Sequence, residues 1–191
     1  MDIFKKKNFI YFIPIFLIFS YFIGFILNEN SSVGAYNDFL IHLNTSQGVK
    51  NGILDFLLKY DEYRNAHSPV FIIILDLVNI GENTFIARLF SLIVSLLIPI
   101  IFLKCVELKY NLNDKFFLVY LSCFFFISPY FRSLAFWPGS ENLSIILFLA
   151  AIFYFLKFNK SINNNNEIKY IFLNVFFLAL ASYISPIYCI F

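Results

Sequence analysis

Charge is what this sequence has least of. Only 14% of its 191 residues are charged, against 60% hydrophobic and 21% aromatic, and the mean hydropathy is +0.77. A soluble globule of this size could not hide so much apolar surface, which excludes that class and indicates an integral membrane protein. The net charge of +2 is too small to mark a surface for nucleic acid, so no nucleic-acid partner is expected. Cysteine is scarce too. Cys105, Cys123 and Cys189 lie in or at the edge of hydrophobic runs, with neither a disulfide framework nor metal-ligand spacing. No internal repeat appears at a useful period.

What is there is a series of long apolar runs. Residues 9–27, 85–103, 116–131, 143–158 and 170–191 read as five crossings of a bilayer. The first follows Lys5, Lys6 and Lys7, as in a signal peptide, but it is full-length and lacks a small-x-small cleavage site, so an uncleaved first helix is expected. Lys104, Lys109 and Lys115, then Lys157, Lys160 and Lys169, fall on the same side as the N-terminus. By the positive-inside rule that side is the cytoplasm, and a bacterial inner membrane is the expected location. Asn163 to Asn166 read as a flexible polar linker on that side. The run ending at Phe191 has no polar tail, and the chain is expected to be a single transmembrane domain over 1–191 that is a fragment of a longer protein.

Polar residues concentrate in the first outer loop, 28–84, which holds Asp38, His42, Asp61, Glu62 and His67, with Arg88 just beyond. So many ionisable groups in one interval place the chemistry at the membrane surface. Tyr36, Phe39, Leu40 and Leu43 recur at helical spacing with Asp38 and His42 on the other face, the pattern of a helix lying on the membrane. A second amphipathic piece over 53–60 carries Asp55 and Lys59 at i, i+4. Ser68 and Pro69 predict an N-cap and first position for a segment over 68–80 that is too short to span, with Asp76, Asn79 and Asn83 on its wet side. Residues 61–67 would be a polar hinge.

The order of these parts resembles the GT-C superfamily, specifically the dolichyl-phosphate-mannose and aminoarabinose transferase type. The residues that carry the resemblance are Asp38, His67-Ser68-Pro69, Gly81, Arg88-Leu89-Phe90-Ser91, Ser128-Pro129-Tyr130 and Glu141-Asn142. Family members often show Asp-Glu where this chain has Asn37-Asp38, His-Pro-Pro at His67-Ser68-Pro69, and Arg-Leu-Pro at Arg88-Leu89-Phe90. The resemblance implies an all-α, GT-C-like transmembrane bundle with short juxtamembrane helices in its first outer loop. It further implies inverting transfer of a sugar from a polyprenyl phosphate to a lipid, glycan or protein acceptor on the outer face, among membrane lipids. No cofactor is expected, and the need for a divalent metal is left open by the sequence.

Such a transfer needs a carboxylate to take the acceptor's proton, for which Asp38 is the candidate general base. It also needs a cation for the departing phosphate, for which Arg88 and His67 are candidates. Asp61, Glu62, Arg132 and Glu141 are further candidate substrate contacts. Each has a plainer reading. Asp38 stabilises a helix N-terminus, Asp61 and Glu62 are solvated hinge acids, His67 caps a helix, and Arg88 snorkels to headgroups. Likewise Arg132 pairs with Glu141, His42 is a surface residue, and Tyr130, Phe136 and Trp137 form an interfacial belt. Two other functions compete: a noncatalytic transporter subunit or assembly factor, and a polysaccharide polymerase or ligase. Charge gathered at the surface instead of mid-membrane counts against transport, and an early large loop counts against the polymerase.

Overall fold

The computed structural model describes residues 2–30, 34–63, 65, 67–78, 83–112, 114–160 and 167–190, and their side chains from Phe12 onward except that of Lys115. Every regular element among them is helical. In chain order these are α1 (Asp2–Ile26), α2 (Ala35–Ser46), α3 (Ile53–Leu58), α4 (Pro69–Leu77), α5 (Thr84–Tyr110), α6 (Lys115–Ile127), α7 (Pro129–Phe136), α8 (Ser140–Lys160) and α9 (Glu167–Ile184), with 3-10 turns at Gln47–Asn51, Tyr60–Tyr63 and Pro186–Ile190.

Local chemistry sets the helix ends. Asn83 caps α5 by accepting from the Phe85 and Ile86 amides at 3.0 and 3.3 Å, and Asp114 caps α6 through Phe116 and Phe117. Ser68 caps α4, with Pro69 in the first turn, where its missing N–H costs nothing. Left-handed Asn28 (φ 56°) and Asn111 (φ 50°) follow α1 and α5, a conformation that asparagine tolerates better than most residues.

Helices α5, α8 and α9 are each long and apolar enough to cross a membrane, and α6 with α7 makes a fourth if the bent pair is one span. The apolar stretch Phe12–Ile26 of α1 is shorter. The expected uninterrupted third span over 116–131 is corrected. The helix stops at Ile127, and α7 leaves at 72°. The cause is Pro129, which excludes helical geometry at the residue before it and holds Ser128 extended (φ −67°, ψ 118°). Asn83 is also corrected, since it starts α5 and does not belong to α4; Asn79 and Gly81 lie outside the described residues.

The elements stack as a bundle with a collar. Tyr21 near the end of α1 packs on Phe126 near the end of α6, at 5.0 Å between ring centroids, so these two helices run alongside in the same sense. Lys160 at the end of α8 reaches Asn111 at the end of α5 (2.6 Å). Lys104, Lys109, Lys157 and Lys160 therefore share one end of the bundle. Helices α2 to α4 cover the other.

Two apolar cores result. One lies inside the bundle around Tyr21, Phe25, Leu92, Ile98, Phe126 and Phe136. The second lies beneath the collar around Phe39, Phe56, Phe71, Ile72, Leu75 and Ile184. Trp137 packs against both and fixes its indole by donating to the Glu29 carbonyl at 3.0 Å. The expected aromatic belt is thus corrected at Phe136, which is fully buried, and at Trp137, which joins the cores.

Arg132 does not pair with Glu141, contrary to expectation. Its guanidinium grips Glu29, with Nη2 to Oε2 at 2.5 Å and Nε to Oε1 at 2.8 Å, and also bonds the Ser20 carbonyl at 3.0 Å. This ties α7 to the end of α1. Gly24 makes room for the pair: a Cβ there would meet the Glu29 carboxylate, Arg132 Nη2 at 2.6 Å and Phe136 Cε2 at 2.9 Å. Breaking a partly buried ion pair strands a charge, so Glu29→Ala should cost about 2 kcal/mol or more, and Gly24→Ala should lower stability through the same pair. Unfolding by SDS titration in mixed micelles measures both. Stability unchanged in both variants would remove the pair from the account.

Candidate functional site

The collar and the start of α8 bring several chemistry-bearing side chains together. Asp38 sits exposed in the first turn of α2. Both Asp38 and Glu141, from the first turn of α8, lie close enough to the Tyr130 hydroxyl to act on it electrostatically. Glu141 and Tyr130 act likewise on Tyr188, which lies near Ser144. Two candidate acids 103 positions apart in sequence thus share one face, with two phenols between α7 and the chain's last turn.

Directly behind this face is a buried polar cluster. His42 follows Asp38 by four residues and so lies one turn further along the same side of α2. The sequence reading made it a surface residue; the structure corrects this, for its side chain is fully buried. Its ring stands edge-on to His67 (4.5 Å) and Phe71 (5.1 Å), and neither ring nitrogen has a hydrogen-bond partner among the described residues. His67 Nδ1 bonds the Ser140 hydroxyl at 3.0 Å, with its backbone held by Asn65 Oδ1 (3.0 Å) and by the Tyr60 hydroxyl on its carbonyl. Asn142, next to Glu141, is also fully buried with both side-chain polar atoms unpartnered. Burial, and then the neighbouring His67, push the His42 pKa down to about 3, and burial pushes the Tyr60 phenol up to about 12.

Arg88 lies elsewhere. It is buried, and three of its N–H groups are taken: Nε by the Phe136 carbonyl (3.1 Å), Nη1 by Asn28 Oδ1 (2.5 Å) and Nη2 by the Phe25 carbonyl (2.6 Å). Its plane stacks between Phe25 (4.7 Å) and Trp137 (4.6 Å). No carboxylate pairs with it among the described residues. The snorkelling reading is corrected, because the side chain points inward to protein carbonyls. Arg88 also lines a cavity of about 490 Å³ with Asn28, Tyr36, Leu40, Thr84 and Trp137. The α2 residues facing this cavity are Tyr36, Phe39, Leu40 and Leu43, on the side of the helix away from Asp38 and His42 at 100° per residue. Helix α2 therefore stands between Asp38 and Arg88.

The remaining candidates are simply placed. Asp61 and Glu62 are exposed on the 3-10 turn Tyr60–Tyr63, and Glu62 acts weakly on Lys59, which pairs with Asp55 at 2.8 Å. Arg132 is engaged by Glu29. His67 does not cap α4; Ser68 does. Sequence reasoning missed Ser140 and the buried role of Asn142. The available signal was two uncharged polar residues opening an apolar helix, where solvent-facing side chains are the usual expectation. No group of three or more His, Cys, Asp or Glu side chains able to hold a metal occurs among the described residues.

Comparison with protein families, with curated proteins and with solved structures finds no match to this chain.

Burial of neutral His42 makes the collar acid-sensitive. The unfolded chain takes up this proton near pH 6.5 and the folded chain only near 3, so between these values the unfolded state binds more protons and stability falls as pH falls. Amide exchange of α2 and α4 should therefore accelerate from pH 7 to 4.5 beyond the intrinsic trend. His42→Phe should flatten that dependence. An equal acid response in this variant would assign it to other groups.

Proposed function

We propose that the chain is the catalytic module of a membrane glycosyltransferase of GT-C type, which moves a sugar from a polyprenyl-phosphate donor to an acceptor hydroxyl on the outer face. The observation that carries this reading is the convergence of Asp38 and Glu141 on Tyr130, at the end of the bundle opposite the lysines. On this reading the lysine end is cytoplasmic and the collar is outside. All five long helical elements serve as spans, α1 and the bent α6–α7 pair included.

Asp38 is exposed on the first turn of α2, so an acceptor hydroxyl can reach it and lose its proton as it attacks the anomeric carbon. Glu141 and Tyr130 would orient that hydroxyl. The leaving phosphate gathers negative charge, and two of the five N–H groups of Arg88, beside the 490 Å³ cavity, have no partner among the described residues. The donor would then cross the first turn of α2 to bring its anomeric carbon to Asp38. Asp61 and Glu62 contribute only to the acceptor side of the collar.

A second reading, a noncatalytic subunit whose collar binds a partner, is favoured by one observation: Arg88 and Arg132 are both engaged by the fold, on interactions that do not face Asp38.

Two experiments separate these readings. Cysteine replacing exposed Asp61 should react with an impermeant thiol reagent in intact cells; labelling only after lysis reverses the orientation. In reconstituted membranes with radiolabelled polyprenyl-phosphate sugars, Asp38→Asn should lower turnover by roughly 10² or more while leaving the fold intact. Arg88→Lys should recover only part of the function that Arg88→Ala loses, since an ammonium cannot reproduce the planar fork. Near-normal transfer by Asp38→Asn passes the base role to Glu141. No transfer by the unsubstituted protein with any donor favours the noncatalytic subunit.

A further inference from the structure

Helices α5 and α8 meet along a seam with two unlike sides. Toward α6 lies an apolar cleft of about 840 Å³ in which Lys109 is the only charged lining residue. On the other side is a depression of about 530 Å³, lined from the end of α5 by Lys104, Glu107 and Asn111 and from α8 by Phe153, Lys157 and Lys160. Each set recurs at three- or four-residue spacing, so each occupies one face of its helix.

Two of the three ammonium groups are held in place. Lys160 donates to Asn111 Oδ1 (2.6 Å), and Lys157 lies over the rings of Phe153 (4.8 Å) and Tyr170 of α9 (5.8 Å). Among the described residues no carboxylate pairs with any of the three lysines, and Glu107 is the only acid lining the depression. Three cations against one carboxylate suit an anionic occupant, and fixing two of them beforehand lowers the ordering cost of binding it. An ammonium has three donors, so the bond to Asn111 leaves Lys160 two for ligand oxygens.

The rest of α5 indicates what carries that anion. The face that presents Lys104 continues back along the helix as Ile93, Leu97 and Ile100, all exposed and again at helical spacing. Both α5 and α8 are long and apolar enough to cross a membrane. In a bilayer, hydrocarbon covers such a stripe, and the cations at its end select the headgroup attached to that hydrocarbon.

We propose that the depression is a binding site for an anionic phospholipid, with its phosphate held by Lys104, Lys157 and Lys160 and an acyl chain laid along Ile93, Leu97 and Ile100. Lys109 takes no part, because it lines the cleft on the other side of the seam. The site is separate from the collar and stands whether or not the collar catalyses a transfer.

The test uses the whole chain in phosphatidylcholine nanodiscs doped with phosphatidylglycerol or, separately, phosphatidylcholine, each carrying the same photoreactive acyl chain. Adducts located by mass spectrometry should fall on residues 93–100 in excess for the anionic probe. That excess should drop about fivefold for each lysine replaced, in Lys104→Gln, Lys157→Gln and Lys160→Gln combined stepwise. Lys109→Gln, at the same end of the bundle but outside the depression, should leave it unchanged, which separates a defined site from a diffuse field. Raising salt on the unsubstituted protein should lower the excess, and this arm holds if a variant misfolds. Inorganic phosphate added at constant ionic strength should not displace the lipid; displacement would assign the depression to a soluble phosphate compound and overturn the proposal. Equal labelling by the two probes, an excess that survives both the three substitutions and salt, or a loss in Lys109→Gln as large as in Lys157→Gln would overturn it as well.

Discussion

One guanidinium fastens the helix ends together at the collar end of this architecture. Arg88 bonds the Phe25 carbonyl at the end of α1, Asn28 just after it, and the Phe136 carbonyl at the end of α7, while its faces rest on Phe25 and Trp137. Two segments remote in sequence, the end of α1 and the end of α7, are fixed relative to α5 by one planar side chain. The geometry suits arginine, whose donors are spread around a rigid plane, and would not suit a lysine ammonium. Helix ends leave carbonyls without intrahelical partners, and a buried cation is a fitting partner for them because each such bond is charge-assisted. Arg132 repeats the device on the opposite side of α1, taking the Ser20 carbonyl and the Glu29 carboxylate. The collar rests on this frame through Trp137, which packs against both apolar cores.

The frame explains where polarity is tolerated. His42 and Asn142 are fully buried without hydrogen-bond partners among the described residues, although buried polar groups generally find one. His42 follows exposed Asp38 by one turn of α2, and Asn142 adjoins half-buried Glu141 on α8. A cluster of this kind is expected where a protein positions groups for a task and gives up some stability to do so. The division made by α2 is the other consequence: Asp38 and His42 are on one side, Arg88 and its cavity on the other. Any reaction that uses both must run across the first turn of that helix.

Charge is distributed along the long axis with the same economy. Lys104, Lys109, Lys157 and Lys160 gather at one end of the bundle, with Glu107 and Asp114, while Asp38, Asp61, Glu62 and Glu141 lie at the other. This polarity gives the two ends of the bundle different surface chemistry. Exposed phenylalanines and isoleucines along α1, α5 and α9 are what a lipid-facing surface requires.

Much of this was legible in the residues. The apolar runs gave the long helices, because a stretch of such length and composition has few alternatives in a membrane. Ser68-Pro69 marked the start of α4, and Asp55 with Lys59 gave an i, i+4 pair, because both depend only on neighbours within a turn. The bend at Ser128-Pro129 was equally local, yet the hydrophobic run concealed it, since hydropathy does not register a missing backbone N–H. What only the tertiary structure decided were the partners of long side chains. Arg132 took Glu29 and left Glu141, Arg88 turned inward to carbonyls, and His42 was enclosed by α4. Each of these choices is between residues tens of positions apart, and it rests on how helix axes cross, which a one-dimensional pattern of polar and apolar residues does not encode.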